Sequence, residues 1–184
     1  LNAIDNIADV LAPPYDVISE QRQLELYERH SRNVVRLILG KINESDVDSD
    51  NRYTRASTTL DNWLADGTLA QVEKPAIYLY AQDFEINGET LRRVGFICRV
   101  KIEEYGNSIY PHEKTMTGPK IDRLNLTRSC SMNFSPVFGL YTDKERKLDE
   151  LWQGVMKLEA DFDATDSDGV SHHMWVVDDE SIVK

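Results

Sequence analysis

The architecture turns on residues 76–102, which read Ala76-Ile-Tyr-Leu-Tyr-Ala-Gln-Asp-Phe-Glu-Ile86, then Asn87-Gly88, then Glu89-Thr-Leu-Arg-Arg-Val-Gly-Phe-Ile-Cys-Arg-Val-Lys-Ile102. Two runs rich in β-branched and aromatic residues flank Asn-Gly, the pair that most readily takes the left-handed backbone of a two-residue hairpin turn. The reading is two antiparallel strands, 76–86 and 90–102. Asp168-Gly169 predicts a second hairpin whose return strand is Ser171 to Val177.

Working outward, Ser19 can cap a helix running to about His30, with Leu24, Leu26 and Tyr27 as apolar contacts. Tyr53, Ala56, Leu60, Trp63 and Leu64 recur at helical spacing, and Gly67 stands where a left-handed C-cap belongs. Pro119 suits the first turn of a helix reaching about Ser131. Residues 144–158 place Leu148, Leu151, Trp152, Val155 and Met156 on one helical face. Two further apolar runs, residues 33–39 and 136–141, read as strands. Hairpins dominate the pairing, so the expectation is an α+β fold. Its sheet would be antiparallel or mixed, with three to four helices, in a single domain over residues 1–184.

Composition excludes several classes. At 184 residues the chain is long enough to bury roughly 70% of its extended surface. Hydrophobic residues make up 41% and charged residues 29%, which is globular rather than disordered. The formal net charge is −11, which opposes non-specific binding to nucleic acid or anionic lipid. No apolar run approaches the ~20 residues that span a bilayer. Two cysteines, Cys98 and Cys130, cannot build a disulfide scaffold or a four-ligand zinc site, so the cytoplasm is the expected compartment. Cys98, inside an apolar strand, is expected to be buried and inert. Cys130, near Arg128, is a candidate for mild activation.

Three segments carry side chains suited to chemistry. The run Ala12-Pro-Pro-Tyr-Asp-Val-Ile18 is stiffened by two prolines and could display Tyr15 and Asp16 toward a ligand. Arg36 sits inside the apolar run 33–39, where a guanidinium needs a carboxylate, an anion or a sheet edge. The longest polar constellation runs from Tyr110 to Arg123, inside residues 92–128, where 8 basic residues meet 4 acidic ones. Histidine is the residue type suited to proton exchange near neutral pH, and His112 with Glu113 could supply acid/base catalysis. Thr117 and Gly118 open a helix whose free N–H groups could hold an anion. Lys120 lies in the first turn, where the helix dipole disfavours a cation unless an anion is nearby. Lys120 and Arg123 share a face. His172 and His173 alternate across a strand, so they cannot chelate one metal and are expected to be surface or packing residues. His30 suits a helix C-terminus. Walker-type loops, GxGxxG, HExxH and CxxC are absent.

Several of these runs together resemble a known family. They are Ala12-Pro-Pro-Tyr-Asp-Val-Ile18, Asn33-Val-Val-Arg-Leu37, Pro111-His-Glu-x-Thr115 and Gly118-Pro-Lys-x-Asp-Arg123, with Asp50-Asn-Arg-Tyr53, Trp63 and Ser135-Pro-x-Phe-Gly-Leu-Tyr141. The pattern is similar to the bacterial and archaeal family catalogued as domain of unknown function 1015. The resemblance implies a chain about half the family's usual length, its N-terminal part. It also implies a distant similarity to the ParB and sulfiredoxin-like superfamily, whose Asp-Gly-His-His-Arg turn is not matched by Asp168-Gly-Val-Ser-His-His173. From that similarity come the functional expectations. The first is phosphoryl transfer on a small hydroxy amino acid or its phosphate, of the serine or phosphoserine type. His112 and Glu113 would be the catalytic pair, with Asp16, Arg36, Thr117, Gly118, Lys120 and Arg123 binding the small anionic ligand. Magnesium is expected only if a nucleotide takes part, with Asp16 as its ligand. The alternative is a non-catalytic ligand-sensing or protein-interaction module.

Overall fold

The computed structural model describes residues 4–112 and 114–183, which gather into two compact units. Each is described by itself.

Unit 1 comprises the chain up to Ala70 together with Arg99–Pro136, and it is helical. Helix α1 (Glu20–Arg29) starts at Ser19, whose hydroxyl accepts from the Arg22 N–H, as the sequence predicts. His30 is its C-cap. Helix α3 (Arg52–Ala65) opens on a reciprocal cap: the Asn51 side chain accepts from Tyr53 and Thr54, and Thr54 Oγ1 accepts from the Asn51 N–H. Beyond its C-cap Asp66, Gly67 takes φ +77°, the left-handed stop read from the sequence. Helix α4 (Thr117–Cys130) begins two residues before Pro119. Leu37, Ile38, Ala56, Leu60, Trp63, Leu126 and Cys130 form the core of this unit.

Residues 33–39 correct the sequence reading. They are not a strand: Val35–Ile38 form a single helical turn, α2. Asn33 decides this. Wholly buried, its Nδ2 donates to the Asp9 carbonyl at 2.9 Å and the Leu11 carbonyl at 2.8 Å, while its Oδ1 accepts from the Val35 N–H at 3.0 Å. A buried amide that satisfies three groups holds the backbone in a turn that a ladder could not offer.

Unit 2 comprises Gln71–Cys98 and the chain from Val137 onward. Strands β1 (Ile77–Ile86), β2 (Glu89–Ile97), β3 (Phe162–Thr165) and β4 (Ser171–Val177) make a four-stranded sheet in the order β2-β1-β4-β3, every pairing antiparallel. Asn87 and Gly88 both have positive φ, +52° and +81°, the turn that Asn-Gly predicts. Helix α5 (Lys147–Val155) lays Leu148, Leu151, Trp152 and Val155 on a core of Leu79, Ala81, Trp175 and Val177. A last helical turn, α6, spans Glu180–Val183.

The fold is thus mixed α+β with an all-antiparallel sheet. Among the described residues there are six α-helical segments, four of them substantial. Two readings need correction here. Residues 136–141 form no strand, and Val137, Phe138 and Leu140 are exposed: β-propensity makes a strand only where the run pairs with a ladder, and this one pairs with none. Strand β2 ends at Ile97, which leaves Cys98 exposed rather than buried. No described helix is long and apolar enough to cross a membrane.

Candidate functional site

Helix α4 positions four of the eight site residues singled out from the sequence, Thr117, Gly118, Lys120 and Arg123. Its N-cap, Met116, is extended and offers no side-chain cap, and no acidic residue lies in its first turn. The free N–H groups there are left to solvent or a ligand. Thr117, Gly118 and Lys120 are exposed on that turn.

One turn further on, Asp122 does not serve the dipole. Its carboxylate accepts from Tyr53 Oη at 2.7 Å and from Arg123 Nε at 2.9 Å, and it pairs with the Arg52 guanidinium. Burial pushes the Asp122 carboxyl up. The hydrogen bonds from Arg123 and Tyr53 and the charges of Arg123 and Arg52 outweigh burial, holding it below the ordinary carboxylate range.

The Arg123 guanidinium lies 3.8 Å from the Tyr15 ring centre and donates to the Ile38 carbonyl at 2.8 Å and Ser135 Oγ at 3.4 Å. Gly40 lets this cluster close: a Cβ there would come within 3.2 Å of Arg52 Cβ and carbonyl oxygen. Beside it lies a hollow of about 10 Å³, room for one water, lined by Leu39, Gly40, Arg52, Tyr53 and Arg123.

Of the predicted site residues, the structure brings Arg123 into this cluster, with Tyr15 beneath it. Asp16, His112, Thr117, Gly118 and Lys120 are exposed, and none of them lines the hollow. Glu113 lies outside the described residues. Among the described residues Arg36 meets neither a carboxylate nor a sheet edge. Its Nη2 donates to the Tyr27 carbonyl at 2.7 Å, and its guanidinium sits 4.3 Å from the Tyr27 ring centre. It therefore completes the C-terminal end of α1, where a cation suits the dipole. Cys130 is buried, and burial first, then the charge of Asp61, raises its thiol pKa, so the activated thiol expected near Arg128 is not there.

Sequence reasoning missed Arg52, Tyr53 and Asp122 as partners, although each stands in a motif that carries the family resemblance. Tyr15, Arg52-Tyr53, Asp122-Arg123 and Ser135 come from four separate runs, and they meet in one cluster.

In unit 2 the adjacent histidines are more than packing. On one face of β4, His172 stands between Tyr80 Oη and Asp166, with Nδ1 at 2.5 Å and Nε2 at 3.0 Å. On the other, His173 bridges Asp163 at 2.9 Å and Asp83 at 3.2 Å, and Asp83 also binds Arg92. Burial, then the Asp166 charge, raises the Tyr80 pKa. The opposite faces follow from strand alternation, as the sequence predicts. Among the described residues no group of three or more His, Cys, Asp or Glu side chains is placed to hold a metal ion.

A family model described as "Protein of unknown function (DUF1015)" matches residues 1–184. No curated protein and no solved structure matches the chain.

Proposed function

The chain belongs to the DUF1015 family, and we propose that unit 1 binds a small phosphate-bearing molecule at the N-terminus of α4. One observation carries the reading. The first turn of a 14-residue helix has no side-chain cap and no acidic residue, yet it presents Lys120. Asp122, the nearest carboxylate along the helix, is tied up by Arg52, Tyr53 and Arg123. A dianionic phosphate would meet free N–H groups, the positive end of the dipole and an ammonium together.

The resemblance suggests what chemistry would follow: phosphoryl transfer involving a small hydroxy amino acid. The acceptor hydroxyl oxygen bonds to phosphorus, the bond from phosphorus to the leaving oxygen breaks, and His112 takes the hydroxyl proton with Glu113 as its partner. Magnesium joins only if a nucleotide is the donor. The ion keeps most of its waters and needs only one or two carboxylates, a role open to the exposed Asp16.

A second reading, binding without turnover, is favoured by the Arg123 geometry. Its guanidinium donors already serve Asp122, Ile38 and Ser135. It therefore positions the cluster and is not free to follow charge developing on a phosphate.

Titration with phosphoserine and with inorganic phosphate, run beside isotope exchange between phosphoserine and serine, separates the two readings. Phosphoserine binding that weakens about tenfold in Lys120→Ala supports the site. Exchange abolished by His112→Ala, with binding retained, supports transfer. Binding without exchange leaves a ligand-sensing module, and failure of both ligands to bind refutes the site.

A further inference from the structure

The sheet of unit 2 is apolar on both faces, and α5 packs on one of them. Leu79, Ala81, Trp175 and Val177 point to the α5 side. Strand alternation sends Tyr80 and Phe84 of β1, Leu91 and Ile97 of β2, Met174 of β4 and Phe162 of β3 to the other. None of these six belongs to either hydrophobic core among the described residues, and Leu91, Ile97 and Phe162 are 42%, 37% and 37% exposed. An antiparallel sheet with a single covered face ordinarily turns polar side chains to water on the other, so an apolar second face points to a second layer.

The cross-strand register gives that face a definite relief. One row runs straight across the sheet as Phe162, Met174, Tyr80 and Gly95. It ends in a bulky ring at the β3 edge and in no side chain at the β2 edge. Glycine inside a strand weakens it, and it marks either a bulge or a close approach by something else. No bulge is present, because the pairing of β1 with β2 runs unbroken from Tyr78 and Ile97 to Ile86 and Glu89. The backbone at Gly95 is not left-handed, and a Cβ there would meet nothing within 4 Å. An aromatic ring on the facing strand can cover such a glycine, but Tyr80 is drawn the other way, its Oη 2.5 Å from His172 Nδ1. Arg93 leans over the Phe84 ring, 5.1 Å from its centre. Gly95 is therefore the floor of an open notch. The next row, Ala164, His172, Gln82 and Arg93, reverses the pattern, small at the β3 edge and large at the β2 edge.

We infer that this face is the contact between two copies of the chain, related by a two-fold axis that runs along the strands between β1 and β4. Such an axis lays β2 on the partner's β3 and β1 on the partner's β4, so each residue meets the opposite end of its own row. Phe162 seats in the notch over the partner's Gly95, and Arg93 lies over the partner's Ala164, each contact made twice. Tyr80 packs on the partner's Met174, a favourable pairing of ring and sulfur. A second copy is the occupant because the bumps of this surface match its own hollows. Arg93 and Glu89, one of each sign, are the only Lys, Arg, Asp or Glu on the strands of this face, so the net charge of −11 does not hold two copies apart here. A four-stranded face roughly 19 Å wide and about 25 Å long offers about 500 Å² per copy, or about 1,000 Å² for the pair. That is the lower limit of a specific interface, so the dimer is weak and reversible.

The test is sedimentation equilibrium of the whole chain at about 10–500 µM, where the expected result is a monomer–dimer equilibrium with a Kd of about 10–100 µM. Phe162→Ala removes the ring that fills the notch, Gly95→Val fills the notch in advance, and each should weaken the dimer about tenfold. Gly95→Val enters open space in an extended strand, so it is expected to unfold in urea no more easily than the parent. It also adds apolar surface, which would strengthen unspecific association, so weakening marks a keyed contact. Phe162 and Gly95 stand three strand spacings apart within one copy, about 14 Å, so a nuclear Overhauser effect between them in a mixed sample of labelled and unlabelled chain would arise only across the two-fold. A chain still monomeric at about 500 µM leaves the face to a different partner and overturns the inference, as does a dimer that tolerates both substitutions. Neither outcome bears on the α4 site, which lies in unit 1 and is read with phosphate ligands.

Discussion

Asp122→Asn is the sharpest test of how unit 1 is held together. The substitution keeps shape and removes charge. Asp122 is 15% exposed, and the two guanidinium groups it neutralises, Arg52 and Arg123, are 21% and 19% exposed. Asparagine can still accept from Tyr53 Oη, but its NH₂ would face donors, and two arginines would be left without a counter-charge. A hydrogen bond to a charged group contributes about 1.5–3 kcal/mol, and breaking a fully buried pair costs about 3–5 kcal/mol. With some solvent access at every member, the expected loss is about 2–4 kcal/mol.

Two comparisons calibrate that figure. Tyr53→Phe removes one neutral donor and should cost about 1 kcal/mol. Glu25→Gln breaks the Arg22–Glu25 pair, which has an ordinary 3.1 Å separation but a carboxylate 46% exposed, and should cost under about 0.5 kcal/mol. Urea unfolding followed by Trp63, the buried tryptophan of unit 1, reads all three. The folded-state pKa of Asp122 is depressed, so its contribution is complete above the ordinary carboxylate range and fades as pH falls below it. The gap between wild type and Asp122→Asn should close in acid. A loss under about 1 kcal/mol at pH 7, or one no larger than that of Tyr53→Phe, would refute the reasoning.

Two other expectations follow from the same physics. The Arg92 guanidinium first, and His173 after it, hold the Asp83 carboxyl down to about 2 against the opposing effect of burial. Its stabilisation is therefore present above about pH 4 and lost as pH falls through 2. Discounted for partial exposure, Asp83→Asn should cost about 1–2 kcal/mol at pH 7 and nothing below pH 2, read by unfolding of unit 2 across that range. In the native protein a disulfide-exchange reagent should modify one thiol quickly. Cys98 is exposed, while Cys130 is buried with its thiolate disfavoured, so Cys98→Ser should abolish the fast phase and Cys130→Ser should leave it intact.

The candidate site was legible in pieces. The chemistry of Lys120 at a helix start follows from Pro119 and the order of residues, and the structure keeps that arrangement. The salt-bridge cluster was not legible. Asp122 and Arg52 stand 70 residues apart, and nothing local marks them as partners. Arg36 shows the same limit from the other side. Its need for a partner was plain from its apolar neighbours, but that the partner would be a helix-end carbonyl and a tyrosine ring depended on where α1 ended.

What the sequence determined by itself is what short-range forces control. Ser19, Asn87-Gly88, Gly67 and Asp168-Gly169 set caps and turns within a few residues, because a side-chain acceptor or a left-handed φ acts on its immediate neighbours. The tertiary structure decided the rest. Residues 33–39 and 136–141 are apolar runs that period alone cannot assign. The first became a helical turn because Asn33 found the carbonyls of Asp9 and Leu11, and the second joins no ladder of the sheet. Hydrogen-bond partners more than 20 residues away are set by packing, and packing is not written in any one stretch of chain.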